Sequence, residues 1–103
     1  MITLSVTRAK TLSQKTFGLI GKRKPYPFLL RTRYGIHTFG LFFPIDVLIL
    51  DKNNMVVSMK KKLFPFSFFF YNPIFDTVVE LPIGIIDSKK IKLGDRIILH
   101  EES

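Results

Sequence analysis

The sequence predicts a mainly β protein, a barrel or sandwich of about seven short strands with one or two short helices. Three observations carry this prediction. Short apolar or alternating runs recur along the chain, turn signals interrupt them at roughly ten-residue intervals, and no stretch holds a helical period for long. Residues 1–103 are expected to form a single domain, since the chain has no linker and is short enough for only one modest core.

Ile2, Leu4 and Val6 alternate with Thr3, Ser5 and Thr7, the pattern of a half-buried first strand. Thr11 to Leu19 suits a short helix, capped by Thr11 or Ser13 and stopped by Gly21. Lys22 to Pro27 reads as a basic loop whose prolines block regular pairing. Phe28 to Thr32 is the next strand, and Tyr34-Gly35 a turn or bulge. Ile36 to Phe43 is expected to be a strand too apolar to alternate cleanly, so that both of its faces are covered. Pro44 cannot donate to a ladder and marks an edge, a bend or a strand start.

Ile45 to Leu50 resumes as a strand, Asp51-Lys52-Asn53-Asn54 forms a hairpin turn, and Met55 to Met59 returns antiparallel. Leu63 to Phe75 is phenylalanine-rich and broken by Pro65 and Pro73, which argues against a long helix. It reads as an extended loop or edge strand whose rings pack on the barrel. Asp76 to Leu81 is a strand ended by Pro82-Ile83-Gly84. Ile85 to Lys90 makes a helical turn or two, and Lys92 to Asp95 turns into a last strand, Arg96 to His100.

Composition narrows the chemistry. With no cysteine, thiol nucleophiles, disulfides and thiolate metal sites are excluded. The two histidines lie far apart in sequence and form no metal-ligand motif, so neither a metal nor another cofactor is expected. No run approaches the roughly 20 apolar residues of a spanning helix, and Met1 to Lys10 alternates instead of building a leader's apolar region. A soluble cytoplasmic protein is the expectation.

The net charge of +8 is uneven: residues 1–62 carry +10 and residues 63–103 carry −2. Basic residues cluster at Lys22-Arg23-Lys24, Arg31/Arg33 and Lys60-Lys61-Lys62. Such asymmetry suits an anionic partner, or simply a solvated basic surface.

Several phrases in order resemble the family known as domain of unknown function 192. They are Gly18-Leu19-Ile20-Gly21-Lys22, His37-Thr38-Phe39, Phe43-Pro44-Ile45-Asp46-Val47, Leu50-Asp51, Glu80-Leu81-Pro82 with Gly84, and Gly94-Asp95. The resemblance runs from about Leu4 to Leu99. It implies a small β-barrel-like fold and no reaction. Two arginines of the family pattern are replaced here, by Phe42 before the FPID phrase and by Ser67 after Pro65-Phe66. Any anion site those arginines build in relatives would be lost or moved in this chain.

His37, Thr38 and Asp46 are the polar residues within otherwise apolar strands. A histidine beside a carboxylate can act as a general base, so a hydrolase using His37 and Asp46, with Arg33 or Tyr34 nearby, is one reading. On a strand, however, Thr38 faces away from His37 and is no nucleophile for it. The structural reading makes Asp46 an acceptor of backbone N–H groups beside Pro44. Alternation makes Val79 and Leu81 inward and Glu80 exposed or paired with Arg31 or Arg33. Pro82, Gly84, Gly94 and Asp95 read as turn residues.

Lys60-Lys61-Lys62 followed by the phenylalanines through Phe75, Phe66 and Phe68 among them, is the sharpest binding signal. It suits a partner surface, an anionic membrane, or single-stranded nucleic acid. The structural reading has the rings plugging one end of the barrel and the lysines guarding the chain against aggregation. An exposed phenylalanine-rich loop would also favour a homodimer. The sequence points to a non-catalytic module that binds a partner or ligand through a basic and aromatic surface, with Arg33, His37, Thr38, Asp46, Lys60, Lys61, Lys62, Phe66 and Phe68 as candidates. The alternative is a binder of nucleic acid or an anionic membrane surface.

Overall fold

A computed structural model describes residues 2–8, 26–33, 35–39 and 41–102. The helix expected at Thr11 to Leu19 and the basic loop from Lys22 lie outside these residues, apart from the loop's last two positions. Eight strands and one short helix follow in order: β1 (Ile2–Arg8), β2 (Phe28–Arg31), β3 (Gly35–His37), β4 (Ile45–Leu50), β5 (Val56–Leu63), β6 (Phe68–Phe70), β7 (Thr77–Pro82), α1 (Ile85–Ser88) and β8 (Ile97–Glu102).

Six strands form one sheet in the order β5-β4-β7-β2-β1-β8. β1 runs parallel to both β2 and β8, and the remaining neighbours are antiparallel. The sheet curls until its two edges touch. Met55 bridges Arg96 at that corner, the Val56 amide donates to the Asp95 carbonyl, and the Ile97 amide donates to the Asn54 carbonyl. The result is a half-barrel, in agreement with the mainly β expectation.

The central strands β4 and β7 explain why the sequence there is so apolar. All six residues of β4 are buried. Leu48 and Leu50 join an enclosed cluster to which every strand of the large sheet and Ile86 of α1 contribute. Ile45, Val47 and Ile49 point the opposite way, into a second cluster with Phe28, Leu30, Val78 and Leu63. Period-two alternation therefore still operates, but both faces are dry.

The second cluster is covered by a separate two-stranded ladder, in which β3 pairs antiparallel with β6. Ile36 and Phe69 stand opposite each other and face inward onto that cluster. The pair is a lid across the outer face of the half-barrel.

Four expectations change. The strand expected over Ile36 to Phe43 ends at His37, because Thr38 turns the chain with its own hydrogen bonds. The strand returning after the hairpin continues past Met59 to Leu63, so the three lysines lie within β5. Glu80 is not exposed: it is only 5% accessible, since its strand is central and both faces are covered. The phenylalanines do not plug the barrel: Phe64, Phe66, Phe68 and Phe70 face solvent, while Phe69 and Phe75 pack on the second cluster.

Candidate functional site

An antiparallel pair with one face on a core normally shows polar residues on the other. The lid does not. With Ile36 and Phe69 inward, alternation turns His37, Phe68 and Phe70 outward, and the Phe39 and Phe66 rings extend the same surface. Phe39 meets Phe68 edge-on at 4.9 Å and Phe66 at 6.1 Å, Phe68 stacks on Phe70 at 5.6 Å, and His37 lies 5.5 Å from Phe39. The five rings form a continuous ridge. Phe66 and Phe70 are 77% and 71% accessible, so the ridge is open to solvent.

Local chemistry builds this ridge. Thr38 is fully buried at the turn after β3. Its hydroxyl donates to the Phe64 carbonyl at 2.7 Å and accepts from the Ser67 amide at 2.8 Å. Its backbone carbonyl accepts from the Phe66 and Leu41 amides. One threonine thus clamps the Pro65-Phe66 turn to the lid. Phe66 sits there at φ 63°, a left-handed conformation that suits glycine or asparagine after a turn-opening proline. Gly35 lies opposite Phe70, where an added Cβ would come within 2.6 Å of the Phe69 carbonyl oxygen and 2.8 Å of the Phe70 ring. Only glycine lets the ring settle over the strand.

The three consecutive lysines lie at the end of β5, just before the ridge phenylalanines in the chain. β5 bulges where it pairs with the start of β4, so that Lys60 lies opposite Val47 and Leu63 opposite Ile45, with two lysines between. Val47 faces the lid side, and so does Lys60. Lys61 pairs with Asp87 of α1 at 2.6 Å. Lys62 occupies the bulge at φ 55°.

Asp46 ties these pieces together from inside. One carboxyl oxygen accepts the Lys62 amide at 3.1 Å. The other accepts the amides of Gly84 at 3.1 Å and Ile86 at 3.0 Å. It anchors the β5 bulge and caps α1, whose preceding residue Gly84 turns at φ 91° and offers no side chain for the task. Pro44 opens β4, and Pro82 closes β7 opposite Ile45.

His37 and Asp46 do not converge. Asp46 shares the inner side of β4 with Leu48 and Leu50, and His37 lies on the outer face of the lid across the sheet. The hydrolase arrangement of those two residues is absent.

Arg33 lies elsewhere, in an open cleft of about 330 Å³ bordered by Arg31, Lys52, Asp51 and Asp76. Both Arg31 and Arg33 approach the Asp76 carboxylate at 3.6 Å, and Arg33 also donates to the Pro73 carbonyl at 2.6 Å. Both arginines serve Asp76. Beside this cleft the Tyr71 hydroxyl donates to the Thr32 carbonyl. Burial, aided by the negative charges of Asp76 and Glu80, pushes the Tyr71 phenol up to about 12. Asp95 accepts the Lys92 amide at 2.8 Å in the turn that Gly94 shares.

Phe39 and Phe70 join the ridge although neither was singled out in the sequence. A signal for Phe70 was present: Phe64, Phe66, Phe68 and Phe70 fall on alternate positions, the period of one strand face. Among the described residues no helix is long and apolar enough to cross a membrane.

Comparison with known proteins gives a consistent but functionally silent picture. The profile of DUF192, described as an uncharacterized ACR, matches residues 2–99. An uncharacterised UPF0127 protein of Pyrococcus furiosus is 30% identical over 93% of this chain and 87% of its own length. A UPF0127 protein of Thermococcus sibiricus is 32% identical over 69% of this chain, a match spanning 46% of that longer protein. In three dimensions, a protein of unknown function from Novosphingobium aromaticivorans superposes with a TM-score of 0.76 at 16% identity, covering 88% of this chain and 71% of its own. A Sinorhizobium meliloti protein, described as a candidate transcription regulator, superposes at 0.75 with 20% identity, covering 88% and 78%. At these identities the likeness is one of fold.

Proposed function

The chain belongs to the DUF192 family, whose description names no reaction, and from that premise we propose that it is a non-catalytic module that engages a partner through the aromatic ridge and the lysines that precede it in the chain. The observation that carries this reading is the inverted polarity of the lid, whose outward face is built of phenylalanine although its inward face already covers the core. Scattered apolar side chains on a surface need no explanation, but a contiguous set does. Phenylalanine side chains bury roughly 200 Å² each, so the four ridge phenylalanines expose on the order of 500 Å², at the upper end of what monomers show. Phe66 adds weight, because it holds a backbone conformation that costs its residue type free energy while keeping a bare ring in water.

The test compares the wild-type chain with the variant Phe66→Ser/Phe68→Ser/Phe70→Ser, each immobilised and exposed separately to membranes, nucleic acid and soluble proteins. All three rings are exposed, so the variant is expected to fold. Retention by the wild type that the variant loses is the expected result. Equal retention by both chains in every fraction would remove the reading.

A further inference from the structure

Resting on the docking reading above, we infer that the ridge docks on an anionic lipid surface. Charge and area select this occupant. A second copy is a poor fit: a stable interface needs about 800 Å² from each partner, more than the ridge exposes, and would bring two chains of charge +8 together. The rings are also poorly spaced for nucleic acid. A base sandwiched between rings needs roughly 7 Å, two van der Waals contacts, whereas Phe68 and Phe70 stack on each other at 5.6 Å and Phe39 closes the other flank edge-on at 4.9 Å.

A lipid surface asks less of the geometry. It needs apolar side chains that enter the acyl boundary and cations that meet the head groups. The lid offers Phe39, Phe66, Phe68 and Phe70 for the first, with exposed Phe64 only two positions from Lys62. Lys60, on the lid side of β5, supplies the second, whereas Lys61 is engaged by Asp87 and Lys62 adds its charge to the same carboxylate. Exposed Asp87 lies against the lysines and pairs with Lys61, whereas other described carboxylates lie away from this face. Asp46 and Glu80 are buried, Asp51 and Asp76 sit at the far end of β4 and β7, and Glu101 and Glu102 belong to β8.

The experiment is co-sedimentation of the full chain with large unilamellar vesicles, either phosphatidylcholine alone or an equal mixture with phosphatidylglycerol. The wild type is expected to bind the mixed vesicles, to be released by salt, and to ignore phosphatidylcholine. Phe66→Ser/Phe68→Ser should weaken partition by roughly tenfold for each ring. Lys60→Gln should weaken it by about fivefold, and this variant keeps the measurement decisive if the serine pair does not fold. Equal binding to both vesicle types, binding to neither, or binding indifferent to both variants overturns the lipid assignment. If vesicles fail while RNA or a soluble protein is retained in a ridge-dependent way, the docking reading stands and only the lipid is wrong. If no fraction is retained in a ridge-dependent way, both fall.

Discussion

Asp46 shows how much one side chain can organise. Its two oxygens hold three backbone amides from β5, from the turn after β7 and from α1, all at a position that is 1% accessible. Asp46→Ala would leave those donors without their acceptor, and each such loss in a buried setting costs about 1–3 kcal/mol. The expected outcome in denaturant unfolding is a loss of at least 3 kcal/mol. Phe66 makes the opposite case. At φ 63° it carries strain that asparagine tolerates better, so Phe66→Asn should stabilise the fold by about 0.5–1 kcal/mol while weakening docking. A denaturation midpoint that drops instead would show that the ring's contacts outweigh the strain.

Tyr71 makes a pH prediction. Its phenol is held up to about 12 in the folded chain against an ordinary 10.0. Between those values the unfolded chain has already lost the proton that the folded chain keeps, so ionisation favours unfolding. The stability that Tyr71 contributes is complete below pH 10 and falls as pH rises toward 12. The difference in unfolding free energy between wild type and Tyr71→Phe, followed across that window, should shrink with rising pH.

At the scale of elements, the lid is the weakest joint. β3 and β6 pair over only three residues each, and they reach the half-barrel through Ile36, Phe69 and the Thr38 clamp. Gly35 is the tightest point. Gly35→Val would press side-chain carbon against the Phe69 carbonyl and the Phe70 ring and should cost about 1–3 kcal/mol. Hydrogen exchange gives the sharper readout: lid amides should lose protection while those of β4 and β7 keep theirs, because the central strands have their own ladders. The six buried residues of β4 were legible as a strand, but the sequence read the stretch before it as one long strand. Thr38 and the Pro65-Phe66 turn lie 26 or more residues apart, and no local pattern announces that hydrogen bond.

For the whole molecule, charge is the dominant long-range quantity. A chain at +8 repels itself, and the ion pairs Arg8–Glu101 and Lys61–Asp87 are both half-exposed. Exposed pairs contribute little, so screening should relieve more repulsion than attraction. The thermal midpoint is expected to rise by a few degrees from low salt to about 0.15 M, where the Debye length is about 8 Å. A falling midpoint would mean that the paired charges matter more than the net excess.

The order of strands and turns, the apolar weight of β4 and β7, the hairpin at Asp51 to Asn54 and the basic, phenylalanine-rich character were all written in the sequence, because they depend on residues close together in the chain. Alternation alone could not say whether a strand's second face would be dry. That was decided when β3 and β6 folded across β2, β4 and β7, burying the outer face, while the neighbours of β7 enclosed Glu80. The same closure left the next row of rings in water. Local periodicity assigns a side chain to a face; only the packing of remote segments decides what that face meets.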